Sequence, residues 1–294
     1  GIPPARLPTA DPVFASELKD RPAIACGNGN PPIADSIAQA AHAKNCTAVL
    51  VYVHGFDTGF ETAVLRAGQL ASDTQWPCVV TAFSLSRAGD KRQSEADLVS
   101  IAAAEPLFAA FLHALSDAGL RTDIISHSMG AKLTLKALTR DGATAHNVIL
   151  AAPDIGIAEF PALVREAAPR LRHLTIYASA EDVALAISRR LNGGEPRIGR
   201  SPSAVRGAAD VIDAGDAPAE LMGHEYYGMS YEMLADMSLA LADVPADARL
   251  AAVDGRKATL ERGNSGNYRL KVRWMREPDV FTRFLRWLMG LIGG

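Results

Sequence analysis

Five short apolar runs, each closing in small or polar residues and each followed by a helical pattern, constrain this chain more than any other feature of it. The first, at 48–53 (Ala-Val-Leu-Val-Tyr-Val), is continuous rather than alternating, which marks a strand buried on both faces. Runs at 78–83, 123–127, 147–152 and 171–178 repeat the theme, and 209–213 reads as a last short strand. Helical spacing fills the intervals: 60–72 with Phe60, Val64, Leu65 and Leu70 on one face, then 94–116, 129–140, 160–168 and 182–191. The long helix at 94–116 carries Pro106, where a kink is expected. A further helix at 229–241 follows the last strand. Such alternation dictates a mainly parallel sheet with helices on both faces.

Outside that frame the pattern changes. Residues 1–45 form an irregular arm rich in Pro and Gly, with a short helix at 13–19 and an Ala-rich, weakly helical stretch at 33–44. The α/β domain spans 46–243. Residues 244–294 supply a hairpin over 257–274, turning near Asn264 to Asn267, and an amphipathic helix at 280–292 with Phe281, Phe284, Leu285, Leu288 and Leu291 on one side. That tail is expected to dock on the same domain rather than on a lipid surface. The segment 193–207, with Arg197, Arg200 and Arg206 among Gly, Pro and Ser, reads as an exposed, solvated loop. Flanked by Arg189 and Arg190, it could otherwise border a site and favour anionic substrates.

Composition excludes several roles. The 294 residues are 48% hydrophobic and 21% charged, enough for a sizeable core, and a net charge of −3 gives no footprint for nucleic acid or for an electrostatic hold on membranes. No apolar run reaches the roughly 18 residues of a transmembrane helix, since 101–115 is broken by Glu105 and Pro106. Cys26, Cys46 and Cys78 lack metal-ligand spacing, so no metal is expected, and a Cys26–Cys46 bridge fits an exported chain. The sequence starts at Gly1 without Met, which leaves both a cytoplasmic location and export after removal of a targeting segment open.

Chemistry concentrates at 126–130, Ser-His-Ser-Met-Gly. A strand ends at Ser128 and a helix starts at Met129, with small residues two places to either side. That spacing suits a sharp corner that lifts a serine hydroxyl off the sheet onto a helix N-terminus. Ser126 stands where Gly is commoner, and the competing role for Ser128 is a plain helix N-cap.

A serine needs a base, and the base needs an orienting acid. In a parallel sheet reactive groups gather at the carboxyl ends of strands, which sorts the seven histidines. His146 and His173 precede their strands, and His42 and His113 lie on helices. His127 neighbours the serine in a strand, so its side chain should point away. His54 is at the correct edge but precedes the serine in the chain. His224 remains, on a loop after the last strand, where the chain order Ser…Asp…His requires the base. Asp182 and Asp154 each follow a later strand and are the candidate acids. Asp182 is preferred because the acid usually comes from the later strand, although either could serve a cap or turn. Glu181 and Asp213 are weaker alternatives. An oxyanion pocket would take backbone N–H groups from Met129 and from Phe56 in the turn His54-Gly55-Phe56.

With these residues in place the chain resembles the α/β-hydrolase superfamily, over about 48–241: Val53-His54-Gly55-Phe56, Ser126 to Gly130, Ala178 to Asp182, and Gly223 to Tyr227. More closely, Leu150 to Asp154 and Tyr177 to Leu185 are similar to a bacterial family of α/β hydrolases of unknown function. The resemblance implies Ser128 as nucleophile, Asp182 as acid and His224 as base. The antiparallel hairpin that usually opens this fold has no clear counterpart before Ala48, so about six core strands are expected. The activity so implied is that of a serine esterase on small-molecule esters of short or medium acyl chain, since no long insertion provides a lid, with no cofactor. An acyltransferase, thioesterase or amidase would use the same three residues. A binding protein that keeps the fold without catalysis is the reading from another class.

Overall fold

The computed structural model describes residues 32–55, 58–84, 93–205, 207, 209–217, 223–252, 257–263 and 267–271. Cys26, Phe56, the helix expected at 13–19 and the amphipathic helix expected at 280–292 lie outside these residues. Helix α1 (Pro32–Ala43) leads into β1 (Ala48–Val53), α2 (Phe60–Asp73), β2 (Val79–Phe83), α3 (Gln93–Asp117), β3 (Arg121–His127) and α4 (Met129–Leu138). Then come β4 (Ala145–Ala151), α5 (Phe160–Ala167), β5 (Leu171–Ala178), α6 (Val183–Leu191), β6 (Asp210–Asp213), α7 (Tyr231–Leu241), β7 (Leu260–Arg262) and β8 (Tyr268–Leu270).

The sheet order is β2-β1-β3-β4-β5-β6-β8-β7. Every neighbouring pair is parallel except β7 with β8. The tail hairpin therefore adds two strands beyond the six that the apolar runs predict, extending the sheet past β6.

Because successive strand residues face opposite ways, the continuous apolar runs fill two cores at once. Val49, Val51 and Val53 meet α1, α3, α4 and α5 on one face, while Leu50 and Tyr52 meet α2, α6 and α7 on the other. Residues 99–117 of α3 are long and apolar enough to cross a membrane by length and composition. On their inner face Ile101, Phe108, Leu112 and Leu115 are buried in the first core, while Val99 and Leu107 are exposed.

On the second face Arg249, only 1% exposed, donates from Nη1 to Asp236 Oδ2 (2.7 Å), which also accepts from the Tyr177 hydroxyl (2.6 Å). Thr259 Oγ1 donates to Asp236 Oδ1 (2.5 Å), so one buried carboxylate ties α7, β5 and the segment entering the hairpin. Buried charges need such partners, since an isolated one would carry a prohibitive desolvation cost.

Two expectations are corrected. Cys46 is bridged to Cys78, not to Cys26, because both stand just before adjacent parallel strands, where Val49 aligns with Val79. The segment after α6 is a solvated loop only in part: Gly193, Gly194, Ser203 and Ala204 are exposed, but its middle is not. Its stretch 196–199 bonds to residues 153–157 (Ile157 N to Pro196 O, Ile198 N to Ile155 O, Gly199 N to Pro153 O) and receives Ser179 N–H at Gly199 O. Arg197 and Ile198 are buried there. The result is a strap across the carboxyl ends of β4 and β5, drawn in by the apolar Ile198 and the buried Arg197.

Candidate active site

The sharp corner at Ser128 is present, and its backbone is strained. Ser128 has φ 56° and ψ −124°, a region non-glycine residues rarely occupy, at a cost of about 1–3 kcal/mol. The strain is held by main-chain bonds: Ser128 N–H donates to Ala151 O (3.0 Å), and its carbonyl accepts from Ala131 and Asp154 N–H (3.1 Å each). Although Ser128 occupies the N-cap of α4, its side chain makes no capping hydrogen bond. The hydroxyl is thus not engaged in the local role that competed for it.

The flanking residues show why this turn demands small side chains. A Cβ on Gly130 would lie 2.5 Å from His54 O and 2.8 Å from Val53 O, so α4 rests directly on the end of β1. A Cβ on Gly55 would lie 2.8 Å from Ser128 Cβ and 3.1 Å from His127 Nδ1. Ser126, which replaces the commoner glycine, is fully buried, and its hydroxyl points toward Ile149 O at 3.5 Å.

Asp182 and His224 meet. His224 Nδ1 donates to Asp182 Oδ2 at 2.7 Å, and Asp182 is fully buried. Its other oxygen accepts from Leu185 N–H (2.9 Å), so Asp182 caps α6 and orients the imidazole at the same time. Burial by itself would push the His224 pKa down. The charge and hydrogen bond of Asp182, with weaker pulls from Glu225 and Asp154, outweigh it, and the net shift is upward. With Nδ1–H committed to Asp182, neutral His224 has its lone pair on Nε2, the arrangement a general base requires.

Asp154 does not take that place. Its carboxylate accepts from Arg197 Nε (2.5 Å) and from the single Ser188 hydroxyl, whose Oγ lies 2.7 and 2.8 Å from its two oxygens, while Arg197 Nη2 donates to its carbonyl (3.0 Å). Asp154 therefore anchors the strap, close enough to His224 only to bias its charge. Glu181 is exposed, and Asp213 accepts from Gly215 N–H.

The loop bearing His224 is clamped from α2 and β1. Arg66 Nη2 pairs with Glu225 Oε2 (2.7 Å), and Gln69 Nε2 donates to Gly228 O (2.7 Å). Tyr227 and Tyr52 share a hydrogen bond between hydroxyls (2.7 Å), and Tyr226 donates to Tyr177 O (3.2 Å). The sequence pattern misses these clamps, because the partners lie up to 175 residues apart. Only the aromatic pair Tyr226-Tyr227 beside His224 hints at an anchored loop.

His54 Nδ1 donates to Gly55 O (2.6 Å) and its Nε2 meets Ser84 Oγ (3.1 Å), so it shapes the turn after β1, and burial lowers its pKa. His146 binds Asp243 (2.8 Å) at the opposite, amino edge. His127, whose side chain alternation is expected to turn away from Ser128, lies against the His224 loop. Alternation turns its ring to the second core face, which is the face the His224 loop covers, and the two rings lie 4.5 Å apart.

Met129 opens α4, so its N–H is among the first-turn donors that have no partner within the helix. Phe56, the other candidate, is not among the described residues. Nor, among those residues, is any group of three or more His, Cys, Asp or Glu side chains placed to hold a metal ion.

A model of a family described as α/β hydrolases of unknown function matches residues 33–235. Among functionally curated proteins none matches the chain. Solved structures similar to it include a predicted CIB-like hydrolase from Thermoplasma acidophilum (16% identity, 66% of this chain and 86% of that one, TM-score 0.40). Esterase PE8 (18% identity, 71% and 95%, TM-score 0.43) and MenH from S. aureus (12% identity, 67% and 94%, TM-score 0.39) are similar in the same range.

Proposed function

The chain belongs to this family of α/β hydrolases, and from that premise we propose that it is a serine esterase using Ser128 as nucleophile, His224 as base and Asp182 as acid. The observation that carries the reading is the 2.7 Å bond from His224 to a fully buried Asp182, beside a strained serine that does not cap its helix. His224 Nε2 takes the Ser128 proton as Oγ attacks the ester carbonyl. The charged imidazole then forms against Asp182, and the tetrahedral oxyanion faces the N–H of Met129 and, in this reading, of Phe56. Collapse expels the alcohol, which takes the proton from His224, and leaves an acyl-enzyme on Ser128. A water that gives a proton to His224 then attacks the acyl carbonyl, and collapse breaks its bond to Ser128 Oγ, which takes the proton back from His224 as the acid leaves.

Short and medium acyl chains fit a site edge crossed, among the described residues, by the 196–199 strap rather than by a helical cap. Turnover of p-nitrophenyl esters of increasing acyl length, with Ser128→Ala as the comparison, tests this. Hydrolysis that peaks at short or medium chains and vanishes in Ser128→Ala is expected. Equal turnover by Ser128→Ala overturns it. Adding competing alcohol, amine or thiol acceptors separates hydrolysis from transfer.

A further inference from the structure

The His127 imidazole lies where the Ser128 corner, the His224 loop and the Gly55 turn meet, and no role above employs it. It is buried, and its Nε2 is 3.2 Å from the His224 main-chain carbonyl. A carbonyl only accepts, so Nε2 carries the hydrogen and donates. The ring stacks on Tyr227 at 4.4 Å and 28°, and Tyr227 is fixed in turn by the Tyr52 hydroxyl at 2.7 Å and by the Arg66 guanidinium 5.6 Å above its ring. On the other side, Nδ1 is 3.1 Å from where a Gly55 Cβ would stand, so the ring lies against a position that only glycine leaves open.

We propose that His127 is a positioning residue: its Nε2–H holds the His224 main chain, so that the base is registered against the nucleophile through the residue next to that nucleophile. The inference rests on the reading of Ser128 and His224 given above. His127 and His224 are 97 residues apart in sequence, and the His224 loop reaches the site from another element. Without a direct tie, small shifts of that loop would move Nε2 of the base away from Ser128 Oγ, and proton transfer tolerates little displacement. With the tie, base and nucleophile move together on the end of β3. The tautomer matters as well, because a hydrogen on Nδ1 instead would leave the His224 carbonyl facing a lone pair.

The test compares two isopolar variants in the full chain. In His127→Gln the amide nitrogen reaches about as far as Nε2 and keeps the donor. In His127→Asn it falls short. Melting temperature, the rate of Ser128 phosphonylation by a fluorophosphonate probe, and kcat and KM on a p-nitrophenyl ester are measured for each. Gln is expected to stay within about threefold of wild type. Asn should slow phosphonylation and kcat by about tenfold, the weight of one lost hydrogen bond, with KM little changed and melting matched to Gln. If Asn fails to fold, His127→Met fills the slot without a donor and takes its place. Asn or Met as fast as wild type, or Gln as slow as either, overturns the proposal. A wild-type chain that the probe never labels instead sinks the nucleophile reading, and this inference with it.

Discussion

Replacing Asp182 by Asn removes one charge and little else. Asn caps helices as well as Asp does, so the bond from Leu185 N–H to the side-chain oxygen is retained and the fold is preserved. On the proposed mechanism a large catalytic loss is expected. His224, on taking the Ser128 proton, would become a cation whose nearest counter-charge is the buried Asp182 carboxylate, 2.7 Å away atom to atom. Between charge centres about 4 Å apart, at an effective dielectric constant of about 20, that attraction is worth about 4 kcal/mol. At about 1.36 kcal/mol per decade this corresponds to about 10³ in rate. The amide can also present its NH₂ to Nδ1, driving the hydrogen onto Nε2 and removing the lone pair that accepts the serine proton, which brings the expected loss to about 10⁴. The assay is kcat/KM on a p-nitrophenyl ester at pH 8, beside melting temperature. Asp154→Asn is the comparison: with Arg197 and Ser188 left short of a partner, it should melt lower yet lose less than about tenfold in activity, since it sits outside the His224 bond. A large loss in Asp154→Asn with full activity in Asp182→Asn would refute the assignment of the acid.

Four further outcomes follow from the same geometry. Because the His224 pKa is raised and the base works in its neutral form, kcat/KM should climb with pH through an ionisation above about 6.5; an acid limb centred well below that value contradicts the Asp182 contact. For stability the sign is opposite: the raised folded-state pKa contributes fully below the unfolded value and is lost as pH rises through the folded one, so His224→Gln should cost more at pH 6 than at pH 9 in urea unfolding. Gly130→Ala would push a Cβ into two main-chain carbonyls at the end of β1 and should destabilise by about 3 kcal/mol while abolishing turnover; wild-type melting would show that α4 does not rest there. Breaking the Cys46–Cys78 bridge, which spans 32 residues, should cost about 4 kcal/mol by loop entropy, measured as denaturant midpoints of the wild-type chain with and without reductant beside Cys46→Ser, and a wild-type midpoint that reductant leaves unchanged and that equals that of Cys46→Ser would argue that the bridge does not form.

Much of this was legible in the sequence because the signals were local. Continuous apolar runs locate parallel strands to within a residue or two, as at Ala48–Val53 and Leu171–Ala178. Carboxyl-end placement together with chain order then points to Ser128 and His224, with Asp182 preferred to Asp154 because it follows the later strand. Contacts across the fold were not legible. Arg197 looks like one more surface arginine until Asp154 meets it, and Cys78 pairs with Cys46 only because β1 and β2 are neighbours. The alternation rule turned the His127 side chain correctly, but the loop covering that face comes from 97 residues away. Asp182 was weighed as cap or acid, and its two oxygens meet both partners those roles need, Leu185 N–H and His224 Nδ1.

The central claim is that Ser128 is a nucleophile activated by His224. The most direct measurement is reaction of the purified chain with a fluorophosphonate, followed by peptide mass spectrometry. A single phosphonyl adduct on Ser128, formed at least about a hundredfold more slowly in His224→Gln, is the predicted result. No adduct, or one on a different serine at a rate indifferent to His224, would contradict it.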